Sequence, residues 1–121
     1  MESKLRQILL DDRIIDKVGR NSNNLPKVFL LHAPEGTLSP YIEYQIVSDR
    51  DRLYSEGEVN GDLTSHEVQI DIFTKGSYVE IRDIVKKVMA EHKFQRGVCG
   101  SMFENETKLY HYLLRYQIEE E

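Results

Sequence analysis

A single cysteine, Cys99, is present, and that scarcity removes two options at once. No intramolecular disulfide can form, and no cluster of cysteine ligands can hold a metal. Stability must come from packing, with neighbouring subunits as a second source. Long apolar runs are also missing, and none approaches the ~20 residues needed to cross a bilayer. The first residues, MESKLRQILLDDR, carry charges on both sides of a short apolar patch without a small-residue cleavage site. The expectation is a soluble chain with no signal peptide. A basic excess is lacking too. The net charge is -5 and the Lys and Arg residues are scattered, unlike the basic stripe of a phosphate-binding surface. Charge concentrates only in acidic stretches, from Asp49 to Asp62 and from Glu119 to Glu121, which read as a solvated segment and a frayed tail.

Catalytic patterns are equally sparse. His32, His66, His92 and His111 are spread along the chain with no i,i+4 pair and no carboxylate at metal-ligand spacing. Gly97-Val98-Cys99-Gly100 has neither the spacing nor the Lys-Ser/Thr of a phosphate loop. Asp71 beside Gln69, and Glu43 beside Gln45, can share one sheet face, and paired carboxylates are where acid-base sites begin. Outward polar positions on strands give such pairs routinely, so a solvated face is the simpler reading. Cys99, beside two glycines and no activating neighbour, reads as a small core residue. The expectation is a chain that is not an enzyme and needs no cofactor or metal.

What the chain does contain is ordinary globular material. Its 121 residues, 40% hydrophobic and 31% charged, fit one domain over 1–121 with one core. Leu5, Ile8, Leu9 and Ile15 lie on one helical face, with a break into two short pieces expected near Asp11-Asp12. Gly19 and the Asn-rich run after it stop the helix. Lys27 to Ala33 reads as a strand whose continuous apolar run implies burial on both faces. From Tyr41 to Val47, Ile42, Tyr44 and Ile46 alternate with Tyr41, Glu43 and Gln45, the period of a half-covered strand. Ser48 to Thr64 is polar, with a short strand at Arg52 to Tyr54 and a turn at Asn60-Gly61. His66 to Thr74 alternates again, Val68, Ile70 and Ile72 opposing Gln69, Asp71 and Phe73.

Ser77-Tyr78-Val79-Glu80 has the form of a capping box, followed by Ile81, Ile84, Val85, Val88 and Met89 at helical spacing to about His92. Phe94 to Glu104 and Lys108 to Ile118 read as closing strands, the first bent at Gly97 and Gly100, with a two-residue turn at Asn105-Glu106. In the second, Tyr110, Tyr112, Leu114, Tyr116 and Ile118 oppose Leu109, His111, Leu113, Arg115 and Gln117. Tyrosine, a large ring with a polar tip, suits either packing under a helix or contact with another subunit. The fold class is α+β, an antiparallel sheet of about five strands in the order α-β-β-β-α-β-β with helices packed on it.

Three segments in this order, Pro40-Tyr41-Ile42-Glu43-Tyr44-Gln45-Ile46, then Glu67-Val68-Gln69-Ile70-Asp71-Ile72-Phe73-Thr74, then the helix from Ser77, resemble small tail-completion and tail-terminator proteins of long-tailed phages and prophages. The first helix and the two closing strands match as well, while Ser48 to Thr64 departs from the pattern. The resemblance implies a structural subunit that forms a ring, commonly a hexamer, on the head-proximal end of the tail tube. There it would stop tube polymerisation and meet the head connector, with no metal, nucleotide or small substrate, no membrane, and DNA passing through the lumen. It implies assembly in the host cytoplasm and residence at the head-tail junction of the virion. The subunit-interface candidates are Tyr41, Glu43, Gln45, Arg50, Asp51 and Arg52. Two other readings stand beside this one: a small ligand-binding or regulatory α+β domain, and a hydrolase using Asp71 or Glu43 with a histidine.

Overall fold

A computed structural model describes residues 1–51 and 64–120. Two short helices open the chain, α1 at Glu2–Leu9 and α2 at Asp12–Val18. The expected break is there, and Asp11 makes it: its carboxylate accepts the Arg13 N–H at 2.9 Å and so caps α2. Restarting the helix also shifts its phase. Ile14 is fully buried, while the expected Ile15 is only half-buried. Gly19, at φ 77°, ends α2, and the Asn21 side chain folds the following loop by accepting from the N–H groups of Asn23 and Leu25.

Strands β1 (Val28–Leu30), β2 (Tyr41–Asp51) and β3 (Thr64–Thr74) lead to helix α3 (Val79–Glu91). Strands β4 (Gln95–Glu104) and β5 (Leu109–Glu120) close the chain. The five strands lie side by side in the order β1-β2-β3-β5-β4. Three of the four pairings are antiparallel, but β1 runs parallel to β2, so the sheet is mixed where a wholly antiparallel one was expected. The reason is the connection. Ten residues between Leu30 and Tyr41 return the chain to the start of the sheet, which no tight hairpin could do.

β1 also differs from expectation in length and burial. Only Val28 is buried, Leu30 and Leu31 are exposed, and Leu31 leaves the strand at φ 65°. An edge strand has a neighbour on one side only, so its apolar run is not enclosed. The β4 strand departs from the core in the same way. Nine of its ten residues are exposed, Cys99 among them, so Cys99 is not a core residue. Its ladder with β5 shifts between Arg96 and Cys99, at the glycine expected to bend it.

The helices cover one face. Leu5, Leu9 and Ile14 from α1 and α2, and Val85, Val88 and Met89 from α3, enclose Ile42, Tyr44, Val68, Ile70, Ile72 and Leu114. Tyr112 and Tyr116 are buried there too, and the Tyr112 ring lies 4.7 Å from that of Tyr78. Tyr110, on the same face but past the start of α3, is exposed. The α3 stripe is as expected, but the capping box is not formed. Ser77 Oγ accepts only a long contact from the Val79 N–H at 3.3 Å, and Glu80 pairs with Lys17 of α2 instead. The last turn differs as well. Four residues, 105–108, join β4 to β5, and Lys108 at φ 59° donates its N–H to the Glu104 carbonyl at 2.9 Å. Without a glycine, the tighter two-residue turn is disfavoured. The expected strand at Arg52 to Tyr54 and the turn at Asn60-Gly61 lie outside the described residues.

Candidate assembly surface

The face opposite the helices is built by register. Tyr41 stands across from Phe73 and Phe73 from His111; Glu43 is across from Asp71, and Gln45 from Gln69. Side chains opposite each other on neighbouring strands point to the same side, so three tiers form on this open face. The first is aromatic. Ring centroids step from Phe29 to Tyr41 at 6.5 Å, from Tyr41 to Phe73 at 4.9 Å, and from Phe73 to His111 at 4.3 Å. The first contact is edge-on and the other two are stacked, and such contacts make a firm surface without a covering layer.

The second and third tiers are polar and bonded to each other. Asp71, although 95% buried, accepts two bonds from Gln69 Nε2 at 3.1 Å and faces His111 Nε2 at 2.6 Å. Arg115 Nε donates to Gln69 Oε1 at 3.0 Å and Arg115 Nη1 to Glu67 Oε1 at 3.4 Å. Glu43 accepts the Ala33 N–H at 2.8 Å, which ties the β1–β2 connection to the face. Burial by itself pushes the His111 imidazole down, but the Asp71 bond and the charges of Asp71, Glu104 and Glu43 outweigh it, and its pKa is raised. Tyr41 is raised by burial first and then by Glu43 and Glu104. His111 Nδ1 is buried without a hydrogen bond; Glu104 Oε2 lies 3.6 Å away.

The sequence pairs Asp71/Gln69 and Glu43/Gln45 do share this face. The part that escaped sequence reasoning is the coupling to β5, since nothing local ties His111 to Asp71, forty residues earlier. Alternation on β5 did place His111 and Arg115 on one side, and that was the available signal. A histidine held by a carboxylate is half of a general-base arrangement. Here the shallow depression of about 360 Å³ above the pair is lined by no serine, threonine or cysteine among the described residues. Cys99 points to the other face, opposite Leu114. No group of three or more metal-ligating side chains gathers among the described residues. Within the depression Gln69, Asp71 and His111 are bonded to one another, which orders a surface more than it prepares a pocket.

Of the interface candidates, Tyr41, Glu43 and Gln45 stand in one column on the open face, and Tyr41 and Gln45 are half-buried. Arg50 and Asp51 belong to the far end of the same strand, paired with Ser65 and Thr64, roughly 25 Å from Glu43 at the rise of a strand. Arg52 lies outside the described residues.

A helix-covered mixed sheet with one ordered, uncovered face is an α+β architecture. The chain matches the family described as Tail completion protein gp17 over residues 4–120 and belongs to it. Its role is in phage tail morphogenesis, as a virion tail component that interacts with other head or tail proteins. A search of curated proteins finds no match.

Proposed function

We propose that the chain, acting as one unit over residues 1–121, forms a ring, a hexamer, at the head-proximal end of the tail tube. The ring stops tube polymerisation and joins the tail to the head connector, assembling in the host cytoplasm and remaining at the head-tail junction. DNA passes through its lumen, and no small-molecule substrate, metal or membrane takes part. Family membership supports the setting. The observation that carries the reading is the open face, whose stacked rings and Gln69–Asp71–His111 hydrogen bonds hold their geometry before any partner arrives. Preordered surfaces lose little conformational freedom on association. A closed ring needs head-to-tail contacts between copies. Tyr41, Glu43 and Gln45, with Arg50, Asp51 and Arg52 further along, form one side of that contact.

Sedimentation velocity and negative-stain imaging with tail-tube protein test this reading. Ring-sized particles and capped tubes are expected. A chain that stays monomeric and leaves tube growth untouched under all conditions would refute it. Gln45→Lys is the cleaner probe of the named contact, because Glu43→Lys also breaks the bond to Ala33. Assembly unchanged in both variants moves the contact elsewhere.

A further inference from the structure

Lys4, Arg13, Lys17, Arg82 and Arg115 each meet a carboxylate. Arg20 and Lys27 do not. Together they line a hollow of about 390 Å³ between the loop after α2 and the loop before β2, with Ser22, Asn23, Glu35 and Thr37. Among the described residues neither cation forms an ion pair, and a backbone carbonyl holds each one instead. Arg20 Nη1 donates to the Asn24 carbonyl and Lys27 Nζ to the Leu38 carbonyl, both at 3.0 Å. Glu35 lines the same hollow but accepts a bond from neither.

Both walls are closed on themselves before anything enters. In the first loop Asn21 Oδ1 accepts from the Asn23 and Leu25 N–H groups at 2.9 and 3.0 Å, and the Asn21 N–H donates to the Leu25 carbonyl at 2.8 Å. Arg20 bridges to Pro26 across the neck of that loop. In the second loop Thr37 bonds back to the Pro34 carbonyl, through its N–H at 3.1 Å and its Oγ1 at 2.6 Å. Lys27 ties one loop to the other. Partial burial lowers its pKa and no carboxylate raises it again, so the ammonium has lost water without gaining an anion. Each cation keeps further N–H donors beyond the one already used.

We infer that this hollow takes one carboxylate, the side chain of an Asp or Glu presented by a partner protein. A planar guanidinium fork beside an ammonium matches the two oxygens of a carboxylate, and Ser22 and Asn23 line the hollow with neutral donors. A nucleic-acid backbone fits less well. It carries a charge at every step along a convex ridge, whereas the hollow is concave and has Glu35 on its wall to repel further negative charge. The hollow shares no lining residue with the open-face depression, so this inference stands apart from the ring reading.

The test is a titration of the full chain followed by proton-nitrogen NMR. N-acetyl-glutamate amide serves as the carboxylate probe, N-acetyl-glutamine amide as its neutral match, and dimethyl phosphate as the phosphodiester. The glutamate probe is expected to shift the signals of residues 20–27 and 34–38, with the Arg20 Nε–H among them, and the glutamine probe to leave them in place. Arg20→Gln with Lys27→Met should weaken binding about tenfold or more, the scale of losing charged hydrogen-bond donors, while Lys27→Arg keeps most of it. Glu35→Gln should tighten binding about twofold, a gain that misfolding cannot imitate. If the glutamate shifts are absent, or persist in the double variant, the inference fails. If dimethyl phosphate shifts the same signals as strongly, the hollow does not select a carboxylate, and a nucleic-acid backbone takes its place. Thermal melting checks folding; where the double variant melts early, Glu35→Gln decides, and unchanged affinity there overturns the inference. The probe needs no second copy, so the result is the same whether or not a ring forms.

Discussion

On the helix-covered side of β3, Val68, Ile70 and Ile72 have no exposed surface and touch apolar side chains. On the other side of the same strand, Gln69, Asp71 and Phe73 are almost as buried, with no helix above them. The first face is held by removing hydrocarbon from water, a force indifferent to direction. The second is held by a stacked row and directed bonds, each of which needs its partner in place. A face of the first kind must be covered. One of the second kind can stay bare and keep its shape until another protein meets it.

Three measurements can break or sharpen that contrast. The largest effect is expected on the covered face. Ile70→Ala leaves a cavity between sheet and helices and should cost about 2–5 kcal/mol in urea unfolding. A loss as small as that of a surface substitution would mean that the helices do not clamp the sheet there. On the open face, Asp71→Ala leaves Gln69 Nε2 and His111 Nε2 without their acceptor, and a cost of about 1–3 kcal/mol is expected. Asp71→Asn should cost less, because it keeps an acceptor oxygen. If Asp71→Ala unfolds like the unmodified chain, the network is decoration.

The smallest effect is a difference in pH response. His111 has its pKa raised in the folded chain, so its contribution is complete below the ordinary value of 6.5 and is lost as pH rises through the folded value. In the helical layer, Asp11 is lowered from 3.8 to about 2, chiefly by its bond to Arg13. Its contribution is complete above 3.8 and is lost as pH falls toward 2. The two layers therefore weaken at opposite ends of the pH range. Unfolding across pH 5–9 should show the alkaline loss in the unmodified chain and little of it in Asp71→Asn. An alkaline loss of the same size in both would take His111 out of the account.

Much of this was legible in the residues. Alternation at Ile42-Tyr44-Ile46, at Val68-Ile70-Ile72 and from Tyr110 to Ile118 gave both the strands and the faces, because period two is a local property of extended chain. The helix from Val79 was visible for the same kind of reason, in the spacing of Ile81, Val85, Val88 and Met89. The capping box was misread because Glu80 had a competing partner in Lys17, which no local pattern reveals. Cys99 was misplaced because composition says that a small thiol is welcome in a core, not that its strand ends the sheet.

By itself, then, the sequence determined a three-helix, five-strand α+β chain and the two-sidedness of its strands, down to the carboxylates and amides that share a face. Only tertiary structure decided that β1 runs parallel to β2, that β1 and β4 are the edges, and that His111 closes on Asp71. Periodicity reports which way a side chain points, and it is set by neighbours one or two residues away. Strand order and cross-strand partners are set by which distant segments bury the most together, a choice made only when the whole sheet closes against its helices.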